Sequence, residues 1–187
     1  ILSTNSYLNV QHRCASVQNP CPSMSTTRGT FSHLRYGIKA DQGDFLVINR
    51  IDFIDCVAGA WLIGNDAITA TENTFDVFDD WSVLVNPYDV FGLYVESSTG
   101  YQIEQNTFDD GIIGLVVYNS GDDENLVYKN IFTDLDASAF IGIGDNTQYP
   151  SEKAGLQLRC NIFDGVDYAI SVLGGSLVTA NGLITVS

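Results

Sequence analysis

The chain has 187 residues, 45% of them hydrophobic, which is enough for one domain with a continuous core. Its 23 Asp and Glu residues outnumber 8 Lys and Arg residues, and the formal net charge of −15 argues against binding to nucleic acids or to anionic membranes. No apolar stretch reaches the length of a membrane span and no signal peptide opens the chain, so we expect a mature or trimmed segment without membrane insertion.

Residues 1–25 are predicted to form an irregular N-terminal capping segment, because its second half is rich in Ser and Pro. Cys14 and Cys21 lie close together in this segment. Their spacing allows a local disulfide, which would suit an exported protein.

From residue 26 onward, an aromatic position recurs with the same neighbours each time. It is occupied by Phe31, Phe53, Phe75, Phe108, Phe132 and Phe163. Asn stands two residues before four of them, a small residue six after five of them, and an apolar residue nine after all six. A unit of about 22 residues that buries the same position each time is typical of a solenoid.

Within each repeat, apolar residues alternate with a period of two, as in Leu115 and Val117, and turn-forming residues such as Gly64-Asn65-Asp66 separate the alternating runs. The sequence therefore predicts an all-β fold. We expect a right-handed parallel β-helix (solenoid) over residues 26–187, with about six coils of roughly 22 residues and two loop insertions.

Three motifs resemble the right-handed parallel β-helix repeat family: Asn106-Thr107-Phe108, Asn130-Ile131-Phe132 and Cys160-Asn161-Ile162-Phe163. That family includes pectate and alginate lyases, polygalacturonases, epimerases, phage tailspikes and bacterial adhesins, so the resemblance implies a fold and leaves the function open. The loosely conserved residue pattern within these repeats also resembles the repeats of large secreted surface proteins of bacteria, which implies a secreted or cell-surface location.

Two recurring features are predicted to be structural. The Asn residues would form a ladder of side chains bonded to the backbone of successive coils, with sugar binding as the alternative. Cys56 and Cys160 lie about four coils apart, roughly 19 Å at the spacing of strands, which is too far for a disulfide. Both are predicted to be buried thiols.

An acidic residue follows the Phe by 13 or 14 positions in five successive repeats, at Asp44, Asp66, Asp89, Asp122 and Asp145. Stacked carboxylates repel one another unless they face water, are protonated or share a cation. Turn residues that face water are the simplest interpretation. Asp66, Asp89, Asp122 and Asp145 are candidate ligands for calcium, the one cofactor suggested, and Asp89, Asp122 and Asp145 are candidate catalytic carboxylates.

The two insertions open beside this acidic column, around Tyr88 and Tyr149. Between them, Gly121-Asp122-Asp123 resembles one polygalacturonase motif. The Asn-Thr-Asp, Gly-His-Gly and Arg-Ile-Lys motifs of that family are missing from the sequence, which weakens a catalytic assignment.

Apolar residues also occupy positions eight and ten after the Phe, which should face solvent. This sheet is therefore predicted to be covered by the insertions, through Val90 and Phe91, or to bind a partner. The candidate binding residues on this face and its loops are Trp61, Trp81, Tyr88, Phe91, Tyr118, Phe140 and Tyr149.

These patterns predict a non-catalytic β-helix segment, and the resemblance implies that it belongs to a secreted or cell-surface bacterial protein. It would bind another protein or domain, or a polysaccharide, through its loops and its apolar sheet face. The alternative is a polysaccharide lyase or glycoside hydrolase that uses carboxylates on one flank, and a third possibility is a purely structural spacer.

Overall fold

The computed structural model describes residues 1–14, 26–78, 89–121, 123–144, 155–173 and 185–186. These residues form strands joined by short turns, and no α-helix occurs among them. The strands are β1 Leu2–Thr4, β2 Leu8–Gln11, β3 Arg13–Cys14, β4 Thr26–Thr27, β5 Gly29–Ser32, β6 Tyr36–Asp41, β7 Asp44–Asn49, β8 Ile51–Cys56, β9 Ala58–Ile63, β10 Asp66–Thr71, β11 Thr74–Val77, β12 Phe91–Glu96, β13 Gln102–Glu104, β14 Thr107–Tyr118, β15 Glu124–Tyr128, β16 Ile131–Ile143, β17 Gly155–Arg159, β18 Ile162–Asp164, β19 Tyr168–Leu173 and β20 Thr185–Val186. The expectation of an all-β fold is confirmed.

Parallel pairing joins strands from successive repeats. The larger sheet runs β1-β6-β9-β12-β14-β11-β8-β5, with β16 beside β14, and the smaller sheet runs β17-β15-β13-β10-β7-β2. A repeat supplies one strand to the smaller sheet and two to the larger, as β7, β8 and β9 do before β10 begins the pattern again. In two later repeats the two strands of the larger sheet are continuous and form β14 and β16. Because parallel neighbours need a long connection, the partner of a strand lies one repeat away, so Phe53 pairs with Phe75 and Ile48 with Ala70.

The recurring Phe residues stack ring on ring through the core, as predicted. From Phe31 to Phe163, successive ring centroids are 5.5, 4.7, 4.8, 4.7 and 5.1 Å apart. Gly59, six residues after Phe53, shows why the residue at that position is small. A Cβ on Gly59 would lie 2.6 Å from Cδ1 of Phe75 and 2.5 Å from the carbonyl oxygen of Gly92, both in the next repeat. The rings therefore fill the space that a side chain would need.

The Asn residues form a buried ladder, which confirms the structural interpretation. Asn106 is typical: its Nδ2 donates to the carbonyl of Ala70 at 2.9 Å and to Oδ1 of Asn130 at 3.0 Å. Oδ1 of Asn106 accepts from the backbone N–H of Asn73 at 2.9 Å. These amides satisfy turn groups that would otherwise be buried without partners.

The two thiols differ in their surroundings. Cys56 is buried, as predicted, and burial raises the pKa of its thiol. Cys160 is exposed, which corrects the prediction. It precedes Asn161 at a turn position with a φ of 53°, which Glu72, Gln105 and Lys129 also occupy in their repeats with φ of 54–55°. A side chain at this turn position points to solvent.

The N-terminal residues are more regular than the sequence suggested. β1 pairs in parallel with β6, and β2 pairs in parallel with β7, so both strands extend the sheets of the following repeats. Residues 15–25, which include Cys21, lie outside the described residues.

The first insertion lies earlier in its repeat than the spacing indicated. Counting six and nine residues from Phe75 gave Trp81 and Leu84 as the equivalents of Gly59 and Leu62. In the structure, Gly92 and Val95 lie opposite Gly59 and Leu62 instead. The extra residues therefore fall between β11 and β12, at a corner of the repeat. A loop added at a corner leaves the hydrogen bonds of the flanking strands intact.

A β-bulge in β16 reverses the direction of Phe140. The pairing of β14 with β16 shifts by one residue after Gly111, so that Leu115 lies opposite Phe140 and Val116 opposite Ile141. Phe140 is fully buried in the core. The prediction that it faces outward is wrong, because one extra residue moves every later side chain to the other face of the strand.

Candidate functional site

Alternating burial shows which residues of β6, β9 and β12 face outward. Leu62 and Val95 are fully buried, whereas the residues just before them, Trp61 and Tyr94, are partly exposed. Lys39, Trp61 and Tyr94 are neighbours in register on adjacent strands. The outer surface of the larger sheet therefore carries a cation and two aromatic side chains in one row.

Two further aromatic side chains join this row. Tyr36 and Phe91 are both register partners of Ala58, and their ring centroids lie 5.6 and 5.9 Å from that of Trp61. The centroid of Tyr94 lies 5.7 Å from that of Trp61 in an edge-on arrangement. We call these four residues, Tyr36, Trp61, Phe91 and Tyr94, the aromatic face.

Two cations lie over the aromatic face. Nζ of Lys39 is 4.5 Å from the ring centroid of Trp61 and 5.7 Å from that of Tyr36, and Cζ of Arg35 is 5.5 Å from the centroid of Tyr36. These distances are within the range of cation–π attraction. The ion pairs found in the described part of the chain are Arg28–Asp52, His33–Asp55 and Arg50–Glu72, so neither cation takes part in one.

Burial affects two of the polar groups on the aromatic face. Burial, and then the nearby carboxylate of Glu96, raises the pKa of Tyr94 to about 12, so its hydroxyl stays protonated at neutral pH. Nε1 of Trp61 is buried without a hydrogen-bond partner in the described structure. A buried N–H in this state is rare, and leaving it unpaired costs about 1–3 kcal/mol.

Only part of the outer surface is open. Among the described residues, Val116 and Ile141 are buried although they belong to the outward columns, and Phe91 of the aromatic face is buried too. Tyr36, Trp61 and Tyr94 are partly exposed. Tyr118 is also partly exposed and lies two residues beyond Val116. The open aromatic surface is thus a narrow strip on the strands β6, β9 and β12.

The structure brings some of the predicted binding residues together. Trp61 and Phe91 contact each other, and Tyr118 lies further along the same sheet. Trp81, Tyr88 and Tyr149 lie outside the described residues. Sequence reasoning missed Tyr94 because the insertion was placed wrongly, and it missed Tyr36 because the outward position before the small residue was not considered.

The acidic column is interrupted. Asp44 and Asp66 are exposed register partners, but the next residue in this column is Thr99, whose Oγ1 donates to Oδ1 of Asp66 at 2.9 Å. Asp89 precedes β12 instead, which corrects its predicted place in the column. Asp122 and Asp145 lie outside the described residues. Within the described ranges, no three His, Cys, Asp or Glu side chains are close enough together to hold a metal ion.

Comparison of the chain with protein-family models, curated proteins and solved structures finds no match in any of the three. In the part of the chain that the structure describes, no helix is long and apolar enough to span a membrane. The geometry of the described residues is therefore the basis for assigning a function.

Proposed function

We propose that the chain is a right-handed parallel β-helix related to the repeat family that its motifs resemble. Three strand positions recur in each repeat, and all strands of the two larger sheets pair in parallel with the same position of the next repeat. Connections between parallel strands of one sheet are right-handed in nearly all proteins, which supports the assigned hand.

We also propose that this β-helix belongs to a secreted or cell-surface bacterial protein and that its role is non-catalytic binding of a polysaccharide. The observation that supports this role is the aromatic face, in which partly exposed rings are held on a sheet rather than on a loop. Aromatic rings offer flat apolar surface to the C–H groups of sugars, and their polar tips offer hydrogen bonds. A site on rigid strands loses little conformational entropy when a ligand binds.

The limited open area favours a polysaccharide over a protein partner. A stable protein interface buries about 800 Å² on each side, whereas the neighbouring side chains Phe91, Val116 and Ile141 are already buried. A narrow strip of three partly exposed rings suits an extended chain of sugars better than a broad protein surface.

The catalytic alternative has less support. A lyase or glycosidase needs a pair of carboxylates in defined positions. Asp44 and Asp66 are exposed at the starts of β7 and β10, and Asp89 precedes β12 outside their column. Catalysis at Asp89, Asp122 or Asp145 stays a prediction, and the appearance of new chain ends in a polysaccharide incubated with the protein would support it.

The binding role is tested by comparing Trp61→Ala with Tyr128→Ala. Tyr128 is the matched control, because it is also a partly exposed aromatic residue with a cation over its ring, Lys129 at 4.9 Å, but lies on the smaller sheet. We expect at least one polysaccharide in a panel of neutral and acidic chains to bind, with about tenfold weaker binding to Trp61→Ala. Equal binding to both variants, or no binding to the parent chain, would overturn the proposal.

A further inference from the structure

The charge on the aromatic face is opposite to the charge of the chain as a whole. The chain carries a net charge of −15, yet the cations nearest to Tyr36 and Trp61 are Arg35 and Lys39. Neither forms an ion pair in the described structure. In a protein with eight basic residues, two unpaired cations over one group of rings are a local positive site in a negative surface.

We propose that this site selects polysaccharides that carry anionic groups, with the rings contacting the sugar and Lys39 and Arg35 pairing with its carboxylates or sulfates. The inference rests on the proposed polysaccharide-binding function and names the class of sugar. A lysine ammonium has three N–H donors and an arginine guanidinium has five, so a ring contact leaves donors free for an anionic ligand. The rings also hold both side chains near the sheet surface, which reduces the entropy lost on binding.

Neighbouring carboxylates define where the anionic groups would lie. Asp41 and Glu96 are each two residues further along their strands than Lys39 and Tyr94, on the side away from Arg35. An anionic group on that side would be repelled, whereas one near the start of β6 would lie closer to the two cations of the face, and Asp55 at that end of the sheet already contacts His33 at 3.4 Å. The ligand is therefore expected to cross the strands over Tyr36 and Trp61, with its charges toward Arg35.

Two pairs of polysaccharides with the same backbone separate charge from sugar identity. Polygalacturonate is compared with its methyl ester, and dextran sulfate with dextran, so that the first pair tests carboxylate and the second tests sulfate. Polyglutamate is included as an anion without sugar rings. Dissociation constants are measured by calorimetry for the parent chain, Lys39→Gln, Arg35→Gln and Lys129→Gln.

We expect at least one anionic polysaccharide to bind about tenfold more tightly than its neutral counterpart, and Lys39→Gln to remove that preference, because a charged hydrogen bond contributes about that much. Arg35→Gln should weaken binding in the same direction, and affinity should fall as salt rises. Lys129→Gln, the cation over Tyr128 on the other sheet, should bind as the parent does. Far-ultraviolet circular dichroism and a thermal melt check that each variant is folded.

Three results would overturn the inference. If neutral and anionic chains bind equally and both depend on Trp61, polysaccharide binding stands and charge selection fails. If polyglutamate binds as tightly as the anionic polysaccharides, the site recognises negative charge and does not require a sugar. If no polysaccharide shows binding that depends on Trp61, the proposed function itself fails.

Discussion

Replacing Asn106 with alanine tests whether the buried ladder holds successive repeats together. The amide of Asn106 is fully buried, donates to the carbonyl of Ala70 at 2.9 Å and accepts from the backbone N–H of Asn73 at 2.9 Å. Alanine removes both contacts, while the backbone N–H of Asn106 keeps its own acceptor, Oδ1 of Asn130. Two buried backbone groups therefore lose a partner in this substitution.

The magnitude follows from those two groups. Each buried group left without a partner costs about 1–3 kcal/mol, so the free energy of unfolding should fall by about 2–6 kcal/mol. Asn9→Ala is the matched control, because Asn9 is exposed on β2 and a surface substitution of this kind usually changes stability by about 0.5 kcal/mol or less.

Urea unfolding followed by circular dichroism measures both variants. We expect a large drop in the midpoint for Asn106→Ala and an unchanged midpoint for Asn9→Ala. A cost below about 1 kcal/mol for Asn106→Ala would refute the reasoning, since it would mean that water or a shifted turn replaces the amide without loss.

Three further predictions concern the core, the acidic column and alkaline pH. Phe108→Ala should lower the free energy of unfolding by about 3–5 kcal/mol in the same urea assay, because the ring is fully buried between two stacked neighbours; a cost like that of a surface substitution would contradict the stacked core. Calcium and sodium chloride of equal ionic strength should raise the melting temperature equally, because Thr99 interrupts the acidic column after Asp66. Extra stabilisation by calcium would instead support the predicted metal site, and it would amount to about 2.7 kcal/mol at a hundredfold excess over Kd. Burial raises the pKa of Tyr94 to about 12 and also raises the pKa of Tyr101. Their contribution to stability is therefore complete below the pKa of an unfolded tyrosine, about 10. It is lost as the pH rises through the pKa values of the folded protein. Urea midpoints measured across this range should fall less steeply for Tyr101→Phe than for the parent chain, and equal slopes would argue against a buried, protonated Tyr101.

The repeat itself could be predicted from the sequence because its signals are local and recur. Each Phe ring lies over a small residue of the preceding repeat, as Phe75 does over Gly59, which stands six residues after Phe53. Each Asn satisfies the turn beside it, as Asn106 does. Spacing and residue type therefore sufficed to predict strands, the stacked rings and the Asn ladder.

The binding site depended on contacts that spacing does not encode. An insertion can enter a repeat at any of its corners, so Asp89 and Tyr94 were assigned only once pairing between β9 and β12 was known. A bulge of one residue turned Phe140 into the core. Arg35 lies in the turn before β6 and contacts its sequence neighbour Tyr36, whereas Lys39 on β6 meets Trp61 from the next repeat. The meeting of Lys39 with Trp61 was decided by the register between strands, which is set by hydrogen bonding and core packing across repeats rather than by the local sequence.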